Sequence, residues 1–230
     1  MRRLRSTKET RIQALRRNRY LQGLEDEALS QLAAQTQLLS YDDEEIIIHE
    51  SLPGPGLFII ESGRVKIYKG SPTGREMIIN VLDTGDSFNE VPVFDQDPNP
   101  ANVAAVMETR VWLIDAEALR SLIADHPQAA QQIIINLSQN LRMLVGKVAE
   151  LSFYTVTARL ALLLRDLPES QLSGKGPSRL TQDDLAARVG TVREVVARSL
   201  RELEKCGAIE VNRGRIKVLD RDKLIDWDCD

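Results

Sequence analysis

Cysteine and histidine are both rare in this sequence of 230 residues. Only Cys206 and Cys229 are present, with no CxxC pair, which excludes a disulfide framework and a four-cysteine iron–sulfur cluster. The two histidines, His49 and His126, are too few for a metal-binding quartet, and no Cys–His dyad or nucleophile motif is visible. Nothing in the sequence therefore indicates an enzyme.

Long apolar runs are also missing. No stretch reaches the roughly 18 apolar residues of a membrane-spanning helix, and no apolar run follows the basic N-terminal residues as in a secretory signal. Together with the scarcity of cysteine, this predicts a soluble cytoplasmic protein without a membrane partner. Hydrophobic residues make up 43% of the chain, so it can bury a substantial core.

Neither sign of charge is in large excess. The formal net charge is −4, which argues against binding nucleic acid through bulk charge alone. However, residues 1–20 carry a net charge of +7 and the other 210 residues carry −11. These first 20 residues contain a single acid, Glu9, and eight basic residues: Arg2, Arg3, Arg5, Lys8, Arg11, Arg16, Arg17 and Arg19. Such a segment can be a nucleic-acid arm, but we expect a solvated and partly disordered tail.

Helical and strand-like patterns alternate along the chain. Residues 24–39 show helical spacing of their apolar residues. From Tyr41 to Asp115, short β-branched runs are separated by glycine-containing turn signals, which predicts a small antiparallel roll or barrel.

A heptad-like apolar repeat follows the predicted roll. Its residues recur at alternating spacings of four and three: Ala130, Ile134, Leu137, Leu141, Leu144, Val148 and Leu151. A helix packed on its own domain is the alternative interpretation. The regular period favours self-association, most simply as a twofold dimer.

The C-terminal region predicts a helix-turn-helix. Thr181 is a candidate N-cap of the first helix with Asp184 in the first turn, and Gly190 suits the left-handed backbone of a tight turn. Thr191 begins a second helix in this interpretation, with Glu194 completing a capping box. The two short strand patterns that follow, around residues 212–214, predict a wing.

Polar residues crowd the start of the second helix. Arg193, Glu194 and Arg198 lie near its N-terminus, while Val196 and Leu200 indicate a buried face on the opposite side. In a helix-turn-helix this end enters the DNA major groove, where arginine can bind guanine O6 and N7 and glutamate can accept from cytosine N4. The simpler alternatives are that Glu194 closes the capping box or forms a surface ion pair with Arg198.

Taken together, the motifs resemble the Crp-Fnr family of bacterial transcription regulators from about Leu21 to Leu219. The stretch "TQDDLAARVGTVREVVARSLRELEKCGAIEVNRGRIKV" is similar to the family's winged helix-turn-helix. The stretches "SGRVKIY" and "GREMIINVLDTGDSFNEVPVF" and the 130–151 helix are similar to its effector roll and dimer helix.

The resemblance implies an α+β fold with an antiparallel, cyclic-nucleotide-binding-like β-roll, a long dimerisation helix and a C-terminal winged helix-turn-helix. The corresponding divisions are a basic tail (1–20), an effector-type roll (21–125), the dimerisation helix (126–152), a DNA-binding domain (153–220) and a C-terminal tail (221–230). It also implies a homodimer on a palindrome of double-stranded DNA. The predicted dimer seam comprises Ile134, Leu137, Leu141, Leu144, Val148 and Leu151.

Within the family, the Arg-Glu-x-x-x-Arg pattern resembles the catabolite-activator type. The resemblance implies a TGTGA-like half-site, with Arg193 and Arg198 on guanines and Glu194 on cytosine. Further candidate DNA contacts are Thr181, Gln182, Thr191, Arg213 and Arg215. An activator also needs a surface for RNA polymerase, and no sequence signature marks one here.

The candidate effector pocket departs from the cyclic-AMP-binding pattern. The resemblance aligns Phe88, Asn89 and Glu90 with the turn that contacts the ribose in cyclic-AMP-binding members. Asn89 stands where those members have glycine, whereas Glu90 matches their glutamate. Asn99 and Pro100, or Pro100 and Ala101 if the loop aligns one residue on, stand where the resemblance places the phosphate-binding Arg-Ser pair. No Arg or Lys lies between residues 75 and 110. Leu144 and Val145 replace the hydroxyl pair that faces adenine. A buried phosphate without a cation is disfavoured, so the pattern argues against cyclic AMP in the usual mode.

Three interpretations of the roll remain open: a structural domain without effector, a pocket for a different and less anionic small molecule, or a haem site with His49 or His126 as axial ligand. We expect no cofactor, and the histidine count does not favour haem. An alternative function is a small-molecule sensor that regulates a protein partner through its winged helix. The arginine pair favours DNA instead.

Overall fold

The computed structural model describes residues 1–18, 20, 21, 24–173, 180–212 and 214–225. Contacts between residues divide the chain into two compact units. The first contains Met1–Lys69 and Asn80–Leu141, and the second contains Gly70–Ile79 and the described residues from Arg142 on. None of the helices in the described part of the chain has the length and apolar character that crossing a bilayer requires.

The basic N-terminal segment is folded, so the prediction of a partly disordered tail is wrong. Strand β1 (Arg2–Leu4) pairs antiparallel with β2 (Thr36–Tyr41), and helix α1 (Lys8–Arg17) follows it. The reason lies in the few apolar residues between the charges. Leu15 and Tyr20 are fully buried in the core of the first unit, and burial of these side chains holds the segment in place.

Helix α2 (Asp26–Ala34) is shorter than the helical pattern over 24–39 predicted. The residues after Ala34 form β2, which lies between β1 and β9 (Thr109–Asp115) in one sheet. Antiparallel pairing on both edges satisfies the backbone of β2, and this tertiary pairing outweighs the local helical spacing.

The rest of the roll consists of short strands and one short helix, α3. They are β3 (Ile46–Ile48), β4 (Gly56–Ser62), β5 (Arg64–Gly70), β6 (Glu76–Asp83), β7 (Ser87–Phe88), α3 (Glu90–Asp95) and β8 (Asn102–Ala105). One sheet has the order β1-β2-β9-β4-β7 and the other β3-β8-β5-β6. Phe58 and Phe88 stack in the core with ring centroids 4.9 Å apart.

Two consecutive helices follow β9. Asp115 caps α4 (Ala116–Asp125), because its carboxylate accepts hydrogen bonds from the amides of Glu117 and Ala118, each at 3.0 Å. The long helix α5 (Pro127–Phe153) begins after it. Its buried residues, Ala129, Ile133 and Asn136, lie on one face at spacings of four and three.

The second unit contains the C-terminal helices and a hairpin. Its elements are α6 (Val156–Asp166), α7 (Glu169–Leu172), α8 (Gln182–Val189), α9 (Arg193–Lys205), β10 (Ile209–Asn212), β11 (Arg215–Val218) and a 3-10 turn at Asp222–Leu224. Strands β10 and β11 pair antiparallel. Leu164, Leu185, Val196, Leu203 and Ile209 lie in one apolar core. This is the α+β architecture that the sequence predicted: a roll, a long helix and a winged helix-turn-helix.

Candidate nucleic-acid interface and effector site

Helix α8 begins and ends at the residues that the sequence indicates. The Asp184 amide donates to the Thr181 hydroxyl at 3.1 Å, and the Thr181 amide donates to the Asp184 carboxylate at 2.8 Å. This reciprocal pair confirms Thr181 as the N-cap. Gly190 ends the helix in the left-handed conformation, with φ of 70°, which glycine adopts without strain. The turn into α9 is thereby fixed.

The start of α9 differs from the prediction. Its N-cap is Val192, which has no side chain to cap the helix, so the expected Thr191–Glu194 capping box does not form. Thr191 lies one residue too early, and its amide donates back to the Ala186 carbonyl at 2.9 Å to close the turn. Glu194 is therefore not held by a cap.

Three charged residues project from the exposed face of α9. Arg193, Glu194 and Arg198 are all exposed, whereas Val196 and Leu200 on the other face are buried. Within the described residues, the Glu194–Arg198 ion pair that was the alternative interpretation does not form. Arg193 instead lies 3.7 Å from the carboxylate of Asp183, and both side chains are largely exposed. Such a contact is weak, so the three side chains are available to a ligand.

The other candidate contacts lie around this helix end. Thr181 and Arg215 are exposed, and Gln182 and Thr191 are half-buried. Arg213, also predicted to contact DNA, lies outside the described residues. Arg215 pairs with Asn212 at the tip of the β10–β11 hairpin, which is the position expected for a wing. The Val211 amide donates to the Glu204 carboxylate at 2.9 Å and so joins this hairpin to α9.

A polar contact that the sequence analysis missed joins α9 to α6. The hydroxyl of Thr157 in α6 is 2.8 Å from that of Ser199 and donates to Glu202 at 2.9 Å. Ser199 is almost fully buried. A serine at helical spacing within an apolar face is the signal that could have suggested it, because a buried hydroxyl needs a partner.

Comparison with known proteins identifies both parts of the chain. The model of the Crp-like helix-turn-helix domain matches residues 158–227, and that of the cyclic nucleotide-binding domain matches residues 38–126. The CRP-like cAMP-activated global transcriptional regulator of Mycobacterium tuberculosis is 32% identical over 208 residues, which cover 88% of this chain and 93% of that protein. The chain belongs to the Crp-Fnr family. It is a DNA-binding transcription regulator.

Two other global regulators are similar over most of the chain. The cAMP-activated global transcriptional regulator Vfr of Pseudomonas aeruginosa is 30% identical over 199 residues, covering 83% of this chain and 92% of Vfr. The c-di-GMP responsive global regulator CLP of Xanthomonas campestris has the same fold. Its structure matches with a TM-score of 0.72 and 22% identity, covering 84% of this chain and 99% of that one.

The effector residues that the family resemblance selects are engaged within the roll. Glu90 is buried, and its carboxylate accepts hydrogen bonds from the Tyr20 hydroxyl at 2.7 Å and the Ser87 hydroxyl at 3.0 Å. Tyr20 comes from the N-terminal segment, and sequence analysis did not connect it with Glu90. Phe88 is in the core, stacked on Phe58. These contacts give Glu90 and Phe88 structural roles.

The side chains of two asparagines donate hydrogen bonds to the segment from His49 to Gly56, the first residue of β4. The Asn89 side chain donates to the Gly56 carbonyl at 2.8 Å, and the buried Asn99 donates to the carbonyls of His49, at 3.3 Å, and Leu52. A Cβ at Gly54 would lie 2.5 Å from Asn89 Nδ2. A larger residue at this position would therefore require the Asn89 side chain to shift. Asn89 itself adopts a left-handed conformation, with φ of 75°.

A cation that the sequence analysis overlooked lies beside Pro100. Lys69 of β5 donates to the Pro100 carbonyl at 3.0 Å and forms an ion pair with Glu50. The pairing of β5 with β8 brings it there, although it lies 31 residues away in the sequence. Because Glu50 neutralises it, Lys69 does not supply an uncompensated positive charge. Pro100 itself is exposed.

The predicted dimer seam lies on an exposed side of α5. Five of the six seam residues are between 40% and 63% exposed: Ile134, Leu141, Leu144, Val148 and Leu151. Val145, beside them, is exposed to a similar degree. Leu137 differs, because it is half-buried against the core of the first unit. Leu144 and Val145, proposed above as effector-pocket residues, belong to this exposed stripe.

The two histidines differ in exposure. His49 is exposed, and half-buried His126 ends α4 with its amide bonded to the Ile123 carbonyl. Neither is among the buried residues of the roll core, where an apolar haem would be sheltered from water.

Proposed function

We propose that the protein acts as a homodimer that binds a palindromic, TGTGA-like DNA site, and that it does so without cyclic AMP in the usual mode. The observation that carries this proposal is the exposure of Arg193, Glu194 and Arg198 on one side of a helix whose other side is anchored in the core. A buried ion-pair network at this position would have argued for a structural role.

The chemistry of this helix end suits the edges of base pairs. A guanidinium can donate two parallel hydrogen bonds to guanine O6 and N7, and Glu194 can accept from cytosine N4. The helix-turn-helix places such residues in the major groove. Arg215 on the wing would contact the phosphate backbone, and such contacts position a protein without reading sequence.

The exposed stripe on α5 supports the dimer. Its exposed apolar residues recur at intervals close to the helical repeat and so form one continuous apolar line, which includes Ile134, Leu141, Val145 and Val148. Lining up so many apolar side chains in water is unfavourable, and a second copy of the same helix would cover them in a twofold coiled coil. Two reading helices would then meet successive major grooves, about 34–36 Å apart.

Three features of the roll support independence from cyclic AMP. Glu90 is already bound by Tyr20 and Ser87. The position expected for a phosphate-binding arginine is occupied by Asn99 or Pro100, and the nearby Lys69 is paired with Glu50. A cyclic phosphate placed here would lose hydration without gaining an unpaired cation, which is unfavourable.

The roles of the parts follow from this proposal. Residues 21–125 form the effector-type roll, 126–152 the dimerisation helix and 153–220 the DNA-binding domain. Residues 1–20 support the roll through Leu15 and Tyr20. RNA polymerase is a further partner if the regulator activates transcription.

A gel-shift titration with a labelled TGTGA-type palindrome tests the proposal. Arg193→Ala and Arg198→Ala should each weaken binding by about 1–3 kcal/mol, or roughly 5- to 150-fold, because each removes a bidentate base contact. The binding of the unchanged protein should fall steeply with salt.

The matched control is Lys205→Ala. It removes the same charge from the far end of α9, about 18 Å along the helix from Arg193. It should bind nearly as well as the unchanged protein. If all variants bound the labelled DNA equally well, or if the protein bound a protein partner and no DNA, the result would support the alternative of a sensor module instead.

A further inference from the structure

A short chain of hydrogen bonds crosses from α6 to α9, the proposed reading helix. Thr157, in the first turn of α6, donates its hydroxyl proton to the Glu202 carboxylate at 2.9 Å. Its oxygen also lies 2.8 Å from the hydroxyl oxygen of Ser199. A hydroxyl has a single proton, and that of Thr157 is used on Glu202, so Ser199 is the donor of the second bond. The order of donation is therefore Ser199 to Thr157 to Glu202.

Ser199 is the polar member of an otherwise apolar face. It is 1% exposed, and the other buried residues of α9 are Val196, Leu200 and Leu203. A buried hydroxyl needs a partner, because leaving it without one is unfavourable. Within a helix, the acceptor that a serine finds most readily is the backbone carbonyl four residues earlier, which here belongs to Val195.

The place of Val195 in α9 connects this choice of acceptor to DNA recognition. Val195 lies between Glu194 and Arg198, two of the three side chains proposed to contact bases. A serine that bonds back to the carbonyl four residues earlier often bends its helix. A bend at this point would displace Arg198 relative to the start of α9. Because Thr157 accepts the Ser199 proton, the Val195 carbonyl has no such competitor.

We propose that Thr157 is a positioning residue for DNA recognition, which keeps α9 straight by accepting the proton of Ser199. Glu202 completes the arrangement, because it takes the proton of Thr157 and so leaves the Thr157 oxygen as the acceptor. None of these three residues is among the candidate DNA contacts, so they act through the geometry of the helix. The inference rests on the proposed reading of bases by α9.

The first measurement compares the DNA affinity of full-length variants. Thr157→Val removes the hydroxyl at nearly constant side-chain volume, and we expect it to weaken binding to the labelled palindrome by about three- to tenfold. Binding to a duplex of unrelated sequence depends on phosphate contacts and should not change. Thr157→Ser retains the hydroxyl and should bind like the unchanged protein.

A double variant separates positioning from a simple loss of contacts. In Thr157→Val/Ser199→Ala no serine proton remains to compete for the Val195 carbonyl, so the double variant should regain most of the affinity that Thr157→Val loses. A role in packing alone predicts the opposite result, since the double variant lacks both hydroxyls.

Thr155→Ala is the matched control for the stability of α6. The Thr155 hydroxyl caps that helix by accepting from the Ala158 amide at 3.2 Å, and within the described residues it forms no hydrogen bond with α9. Its loss should lower the free energy of unfolding without changing the ratio of specific to non-specific DNA binding.

Hydrogen exchange tests the inference without DNA. In the helix, the Ser199 amide donates to the same Val195 carbonyl. Competition for this carbonyl in Thr157→Val should make the Ser199 amide exchange faster, and the double variant should restore its protection.

Three results would overturn the proposal: equal palindrome affinity of Thr157→Val and the unchanged protein, a double variant weaker than Thr157→Val, or an equal loss of specific binding in Thr155→Ala. Failure of the unchanged protein to bind any palindrome would overturn the proposed function instead. The exchange measurement would then decide this inference by itself, because unaltered exchange of the Ser199 amide in Thr157→Val contradicts it.

Discussion

The Tyr20 hydroxyl donates a 2.7 Å hydrogen bond to the carboxylate of Glu90, and both side chains are buried. These residues lie 70 positions apart. The contact joins the basic N-terminal segment to the first residue of α3, which the family resemblance assigns to the effector site. Glu90 thus has a partner within the chain.

Removing that hydroxyl should destabilise the roll. In Tyr20→Phe, Ser87 is the hydroxyl donor that the Glu90 carboxylate keeps among the described residues. We expect a loss of about 1–3 kcal/mol in the free energy of unfolding. Urea unfolding followed by fluorescence measures it. Tyr154→Phe is the matched control, because Tyr154 is only half-buried. An equal effect of both changes would contradict the structural role of the contact.

Loss of the α8 cap should loosen the helix-turn-helix. Thr181→Ala removes the acceptor of the Asp184 amide, and we expect a cost of about 1 kcal/mol to that helix. Hydrogen exchange should show reduced protection at the Asp184 amide in particular. Thr181→Ser retains a hydroxyl and should behave like the unchanged protein. Unaltered exchange in Thr181→Ala would argue against the capping box.

Charge on the α5 stripe should prevent association. Leu141→Glu or Val148→Glu would bury a carboxylate in the proposed seam, so sedimentation should show monomers, and binding to full palindromes should be lost. Gln139→Glu adds the same charge to the opposite side of the helix, about 200° from Leu141, and should remain dimeric. A charged variant that stays dimeric, or a monomer that binds full sites tightly, would show that the seam is misassigned.

Cyclic AMP should not bind appreciably. Calorimetric titration up to about 1 mM should give no saturable heat, which corresponds to an affinity weaker than roughly −4.1 kcal/mol. The M. tuberculosis relative, described as cAMP-activated, serves as the positive control. Micromolar binding to this chain would refute the proposed independence.

Local sequence patterns were sufficient to predict the helix-turn-helix. The Thr181–Asp184 cap and Gly190 act within a few residues of each other, so their geometry follows from the chain itself. The start of α9 was misplaced by the same reasoning. A Thr-x-x-Glu pattern fits a capping box, but the Thr191 amide closes the preceding turn by donating to the Ala186 carbonyl. The N-cap of α9 is therefore Val192.

The long-range contacts could not be predicted in this way. The prediction of a disordered tail was based on the charge of residues 1–20 and overlooked Leu15 and Tyr20. The burial of these two side chains depends on a core formed by distant residues. Lys69 comes next to Pro100 only through the pairing of β5 with β8. The helical spacing over 24–39 was overridden at β2 because neighbouring strands were available on both sides.

The central claim is that exposed Arg193, Glu194 and Arg198 read DNA from a twofold dimer. Selection of bound sequences from a random duplex pool tests it most directly, with the unchanged protein and with Arg193→Ala and Arg198→Ala in parallel. The account predicts an enriched inverted repeat of TGTGA-like half-sites centred about 10–10.5 base pairs apart, and a loss of preference at one guanine of each half-site in each variant. Enrichment of an unrelated or unpaired motif, or the same motif from all three proteins, would contradict it.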